Sequence, residues 1–374
     1  MASNELSKSQ SLKISLLSRG ISVSSAAETA LKRGTEIPLS VHEYPTTGGL
    51  TLVLEGDIYV NAPFDEPSVQ APEATLALGK GEQSPFHVLF QGEEFPARVL
   101  PLPGYLFAKD SHKRLVTDSV FSHADRARVS PIGGCHNNCS FCSSPLKTYE
   151  LRPVEQLQEA LTIAQADRTL PVHHAMISGG TPRTEDRDYF REVCEMIIRS
   201  SGMPVDVMMA PPQDIRLIDH LSACGVYGFA INMELYDDEM AKRIAPQKRG
   251  MDRQEFARVI ERAVRSTGGC GRVRSLLLVG LEDEVQTLRG VDFLARLGCD
   301  PVLSPFRPAP GTPLASHPTP SYELLERVCL KSIEIAERNG VKVGPRCIPC
   351  THNTLTFADR SGAYYFSREL RCAK

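Results

Sequence analysis

Apolar positions change their rhythm near residue 128. From there on, short runs rich in Val, Ile, Leu and Met alternate strictly with stretches of helical period. The runs are RVSPI, HHAMISGG, VDVMMAP, YGFAINME, RVRSLLLVGLE and DPVLSPF, and the spacing predicts helices over 153–168, 186–201, 212–223, 251–267, 284–297 and 320–339. The runs are bounded by Gly and Pro, and they read as parallel strands buried on both faces. Six strand–helix units in series call for a parallel α/β architecture.

The first part of the chain has a different texture. Residues 1–34 carry two short helical patterns, the second being SSAAETALKRG with Ser at its start and Gly at its end. LTLVLEGDIYVNAP then places two β-rich runs around Glu55-Gly56-Asp57, which reads as a hairpin. Residues 63–120 stay rich in Pro and Gly, with short apolar pieces such as FHVLF. Three regions are therefore expected. Residues 1–120 form a small, strand-rich α+β domain, a structural cap or partner surface without a nameable chemical motif. Residues 121–340 form the α/β unit, and 341–374 a cysteine-containing segment that closes it.

Composition narrows the function classes. The 374 residues can bury a large core. A 41% hydrophobic and 23% charged content with net charge −3 is that of a soluble globular protein, with nothing that favours nucleic acid or an anionic membrane as partner. No apolar run approaches the roughly 20 residues that span a bilayer. The opening MASNELSKSQSLKISLLSRG lacks a sustained apolar core and a small-residue cleavage site, so no secretory signal is expected. Eleven cysteines, most of them solitary on apolar patterns, point to a reducing compartment, the cytoplasm.

Three of those cysteines stand apart. GGCHNNCSFCSSP, residues 133–145, spaces Cys135, Cys139 and Cys142 as C-x3-C-x2-C on the loop that leaves the first parallel strand. The carboxyl end of such strands is where α/β folds bind ligands. A structural zinc wants four ligands and disulfides want pairs, but a cubane iron–sulfur cluster held by three thiolates keeps one iron open for chemistry. A 4Fe–4S cluster is the reading carried forward. A zinc knuckle completed by His136 and three unrelated core thiols compete with it.

With Phe141 directly before the third cysteine, this loop in a six-unit α/β series resembles the radical S-adenosylmethionine (SAM) superfamily, over about residues 125–340. The resemblance implies a partial (β/α)6 TIM-type barrel whose open iron is chelated by the amino and carboxylate groups of SAM. It implies reductive SAM cleavage, usually to a 5′-deoxyadenosyl radical that abstracts hydrogen from an unactivated carbon, and a reducing partner such as flavodoxin or ferredoxin. ISGGTP (177–182) matches the family motif written GGE, whose backbone receives the methionyl amino group. Gly179 and Gly180 are kept, and Thr181 stands in place of the Glu. In INMELY, Asn232 and Glu234 match positions facing the polar groups of SAM, and Arg243 follows at a distance suited to its carboxylate. LLLVGLEDE matches the pattern near the adenine through Gly280 and an acid, Glu282 or Asp283.

The downstream run ending in PFRPAPGTPLA most resembles the biotin-synthase-like branch, which includes enzymes that insert sulfur using a sacrificial second cluster. A second thiol pair, Cys347 and Cys350, is spaced C-x2-C beyond the last predicted helix, with His352, Cys372 and Arg346 as further candidate ligands. It is expected to fold back over the barrel mouth as a lid. Four uses stay open: a second iron–sulfur cluster, zinc or a thiophilic (for example metalloid) substrate, a redox pair, or plain structure. The expected function is a radical SAM enzyme acting on a small-molecule substrate. A non-catalytic iron–sulfur or zinc protein is the alternative, and a nucleotide-binding enzyme is disfavoured by the lack of a G-x-G-x-x-G or P-loop after any strand.

Overall fold

The six predicted runs form one parallel sheet in chain order: β1 (Arg126–Val129), β2 (His174–Ile177), β3 (Val205–Met209), β4 (Gly228–Ile231), β5 (Val273–Val279) and β6 (Asp300–Pro305). Each is followed by a helix: α1 (Val154–Gln165), α2 (Arg187–Ser200), α3 (Arg216–Ala223), α4 (Arg253–Thr267), α5 (Glu284–Arg296) and α6 (Tyr322–Arg338). The chain is seen here as a computed structural model that describes residues 5–370 apart from 33–37, 42–47, 67–68, 70–71, 80–84, 251, 270 and 360. β2, β4 and β6 are buried at every residue, as strands covered on both faces must be. On α1 the inward stripe is Leu157, Ala160, Leu161 and Ala164, recurring at the helical period. A short helix, Asp238–Ile244, is an addition the periodicity did not reveal. This is a partial TIM-type barrel, with an antiparallel strand, Val120–His123, added beside β1.

The barrel sheet is open between β6 and Val120–His123, its two edge strands. Both ends of the chain fill that gap. A six-stranded sheet from the first hundred residues contains the expected hairpin, Leu50–Leu54 with Ile58–Ala62, turning at Glu55–Asp57. Asn61 N of that hairpin donates to His352 O at 2.6 Å, and the His352 ring stacks on His123 with centroids 4.3 Å apart. On the other side Leu355 N donates to Leu303 O of β6 at 2.9 Å. Arg307, just past β6, donates to Gly48 O at 2.7 Å and to Asn61 O at 2.8 Å. Helix Lys8–Arg19 packs on the hairpin and on α6, so Leu12, Leu16 and Val60 share one core with Leu303, Leu325 and Val328.

The C-terminal segment corrects an expectation. It packs at the floor of the barrel rather than over its mouth. A helix that follows a parallel strand returns the chain to the amino end of the sheet, and α6 does so here. Gly344 N donates to Pro301 O at 2.8 Å, and Arg346 clamps Asp300, the first residue of β6, at 2.6 and 2.9 Å. Cys347 and Cys350 lie under the starts of β1 and β2. No helix among the described residues is long and apolar enough to cross a membrane.

Candidate active site at the carboxyl ends of the barrel strands

A cavity of about 1560 Å³ occupies the barrel and opens at the carboxyl ends of its strands. Cys135, Cys139 and Cys142 line it together with Phe141, Gly179, Gly180, Thr181, Asn232 and Glu234. Seven side chains singled out from motifs in three different segments thus converge on one space with the backbone of Gly179 and Gly180.

The cysteine loop is laced to the loop after β2. Thr181 N donates to Cys135 Sγ at 3.2 Å, His136 N donates to Thr181 O at 3.1 Å, and Asn137 Nδ2 donates to Thr181 Oγ1 at 3.0 Å. Thr181, the departure from the family pattern, therefore holds the cysteine loop with its side chain. Gly180 has a steric reason as well. A Cβ there would stand 1.9 Å from Gly134 O and 2.8 Å from Cys135 Cα, so only glycine lets the two loops touch.

The sulfur environment suits an iron–sulfur cluster. Backbone N–H groups of Thr181 and Ser144 point at Cys135 and Cys142, the latter at 3.4 Å, as bonds to thiolates do. Burial pushes the Cys139 thiol up to about 12, so that sulfur keeps its proton until a metal displaces it. The three thiols are not among the groups whose ligand atoms converge within 4.8 Å, the reach of a single ion. A cubane, with irons at its corners, spreads its ligands wider.

Glu234 is held in a left-handed conformation, φ +68°, which costs a non-glycine residue energy and is common where a side chain must be aimed. Its N–H donates to Leu276 O at 2.7 Å and its carbonyl accepts from Leu278 N at 2.8 Å, so β5 fixes it from both sides. Its Oε1 pairs with Lys248 Nζ at 2.6 Å, while Oε2 is buried and has no hydrogen-bond partner. Burial opposes the Lys248 charge, but Glu234 and the nearby Cys139 outweigh it and hold the ammonium above its ordinary range. An orphaned carboxylate oxygen beside the three-thiol loop is a ready acceptor for the ammonium or hydroxyls of SAM, and in this respect the residues fit the cofactor.

Other motif residues fall outside the cavity. Arg243 is exposed on helix Asp238–Ile244 with its guanidinium against Met240 Sδ at 2.8 Å, because the helix turns that face outward. The cation that pairs with Glu234 is Lys248, which no motif marked. Gly280 packs on Pro320. Glu282 accepts from Tyr236 N at 2.9 Å and Asp237 N at 2.8 Å, and Asp283 caps α5 through Gln286 N. These acids fasten loops. Among the further candidates at Cys347 and Cys350, His352 faces His123, Arg346 pairs with Asp300, and Cys372 lies outside the described residues. The groups that do meet the pair, Asp125 and His174, were missed: one precedes β1 and the other starts β2, with no spacing to signal either.

A parallel barrel with a three-thiol loop at the carboxyl end of its first strand defines the class of site. Residues 129–289 match the model of the Radical SAM superfamily. Those residues carry a radical SAM domain. No curated protein matches it. Among solved structures, methylornithine synthase is 18% identical over 58% of this chain and 69% of its own, with a TM-score of 0.44. A radical SAM methyltransferase from Sphaerobacter thermophilus is 17% identical over 72% of this chain and 76% of its own, at 0.46. Coproporphyrinogen III oxidase from Escherichia coli, described as a radical SAM enzyme, is 16% identical over 58% of this chain, which spans only 54% of that one, at 0.41.

Proposed function

We propose that Cys135, Cys139 and Cys142 hold a 4Fe–4S cluster and that SAM binds beside it, against Gly179, Gly180, Asn232 and Glu234. The observation that carries this reading is the three-thiol loop laced to Gly180-Thr181 in a cavity that also holds the orphaned Glu234 oxygen. When bound, the two cofactors supply a carbon-centred radical that removes hydrogen from an unactivated carbon. The chain binds, orients and shields. Thr181 and Asn137 fix the cysteine loop, and β5 aims the Glu234 carboxylate. Lys248 holds that carboxylate by its Oε1. The N-terminal sheet, which we read as a domain of residues 1–120, and the C-terminal segment close the side and floor of the barrel and exclude water.

The substrate in this reading is a small molecule with an anionic group, because Arg126 and Arg128 line the same cavity. The run after β6 supports placement in the biotin-synthase-like branch. Sulfur insertion from a second cluster forms no part of the reading, since Cys347 and Cys350 lie at the floor beside a cavity of about 20 Å³. A cytoplasmic location and a flavodoxin- or ferredoxin-type reductant fit an oxygen-sensitive cluster and unpaired cysteines.

The test is anaerobic reconstitution with iron and sulfide, then addition of SAM and dithionite. Release of 5′-deoxyadenosine or another SAM fragment is expected from the parent chain and not from the Cys135→Ala, Cys139→Ala, Cys142→Ala triple variant. Equal SAM cleavage by both proteins, or a full brown chromophore in the triple variant, overturns the reading.

A further inference from the structure

Beneath the barrel, four side chains from three separate parts of the chain meet with no role in the site above. Asp125 precedes β1, His174 begins β2, and Cys347 and Cys350 belong to the C-terminal segment. One ligand atom from each lies within 4.8 Å of all the others. Cys350 Sγ is 3.3 Å from His174 Nε2, Cys347 Sγ is 3.9 Å from Asp125 Oδ1, and His174 Nδ1 is 3.9 Å from the same oxygen. Donor atoms around one tetrahedral zinc, with bonds near 2.0–2.3 Å, stand roughly 3.3–3.8 Å apart. With one nitrogen of His174 as the donor, the four atoms lie within 4.8 Å of one another, so a contraction of about 1 Å would bring them to that spacing.

We propose that these residues form a structural zinc site. The donor set of two thiols, an imidazole and a carboxylate is one that zinc takes in preference to calcium or magnesium. The local backbone is a knuckle: Cys350 N donates to Cys347 O at 3.1 Å and Thr351 N to Ile348 O at 3.1 Å, so a tight turn brings both sulfurs to one side. His174 is 5% exposed, and its Nδ1 is buried without a hydrogen-bond partner. Such an orphan is costly unless something binds there. Ser367 Oγ, 2.9 Å from Cys347 Sγ, supports the sulfur from outside the set.

Size separates an ion from a cluster. The adjoining cavity is about 20 Å³, room for one ion or water and not for four irons and four sulfides. Its position at the amino ends of the strands also puts it at the opposite end of the barrel from Cys135, Cys139 and Cys142. Binding joins Cys347 and Cys350 to the strands above them, so the metal acts as a staple on the barrel floor. This inference is independent of the radical SAM reading and is tested in a protein that lacks the cluster cysteines.

The experiment is elemental analysis of the full-length Cys135→Ala, Cys139→Ala, Cys142→Ala variant, expressed with zinc and desalted. About one zinc per chain is expected, and none after adding Cys347→Ser and Cys350→Ser. In case the added substitutions unfold the protein, the intact triple variant is also stripped with a chelator. Its Tm should fall and recover with Zn²⁺, and Co²⁺ should restore it with the thiolate-to-cobalt absorption of a four-coordinate site. Folded protein with no zinc and no cobalt–thiolate band overturns the proposal and leaves a hydrogen-bonded thiol–imidazole pair. About four irons per chain in that variant overturns it in favour of a second cluster.

Discussion

Replacing Glu234 by Gln removes one charge from a buried pair and leaves the shape of the site unchanged. The Lys248–Glu234 contact is 2.6 Å, with side-chain exposures of 18% and 9%. At that distance and an effective dielectric of about 20, the attraction is roughly 6 kcal/mol. Gln retains a neutral hydrogen bond to the ammonium worth about 1 kcal/mol. Relaxation and water penetration around the stranded ammonium offset part of that, so the net loss should fall at about 3–5 kcal/mol, the cost of an uncompensated buried charge. Urea denaturation of the apo protein measures it. Adding Lys248→Met removes the stranded charge, so the double variant should recover most of the loss and show a coupling energy above about 2 kcal/mol. SAM affinity, measured separately on the stable double variant after reconstitution, should still be reduced about tenfold, because Oε2 no longer offers a charged acceptor. A stability change under about 0.5 kcal/mol in Glu234→Gln, or a double variant no more stable than the single, refutes the argument that this pair bears an unscreened charge.

Three further outcomes follow from other contacts. Gly180→Ala should drive the two loops apart at Gly134 O, and reconstituted iron should drop from about four per chain to less than half; normal iron content would show that the loops can separate freely. Burial raises the Glu282 carboxyl to about 7 from 4.5, so the unfolded chain loses this proton first and the native state loses stability as pH rises from 4.5 to 7. Glu282→Gln should therefore gain on the parent by up to about 3 kcal/mol across that window, read by denaturation at its two ends; parallel pH profiles would refute it. Arg307→Met removes a donor from Asn61 O and one of the two donors to Gly48 O, which keeps Asn61 Nδ2 at 3.1 Å. It should cost about 2–5 kcal/mol and speed proteolysis between the N-terminal sheet and the barrel, while a variant as resistant as the parent would show that the sheet is held elsewhere.

Periodicity alone determined the series of six parallel strand–helix units, and the resemblance to a known family supplied its closure into a partial barrel. Its strands are apolar on both faces, its helices carry stripes such as Leu157-Ala160-Leu161-Ala164, and caps such as the Asp252–Glu255 box mark ends that local chemistry sets. The cysteine loop was equally legible, because three thiols within eight residues need no distant partner to be noticed. The parts that were not legible depend on groups far apart in sequence. Glu234 and Lys248 are brought together by a turn after the short helix Asp238–Ile244, whereas Arg243 on that helix faces away. Glu282 and Asp283 look like ligands in a motif, yet the nearest unpaired N–H groups in the fold claim them. The direction of the last helix decided the place of Cys347 and Cys350. A thiol pair in the sequence has no top or bottom, and only the return of α6 to the amino ends of the strands put the pair at the floor, within reach of Asp125 and His174.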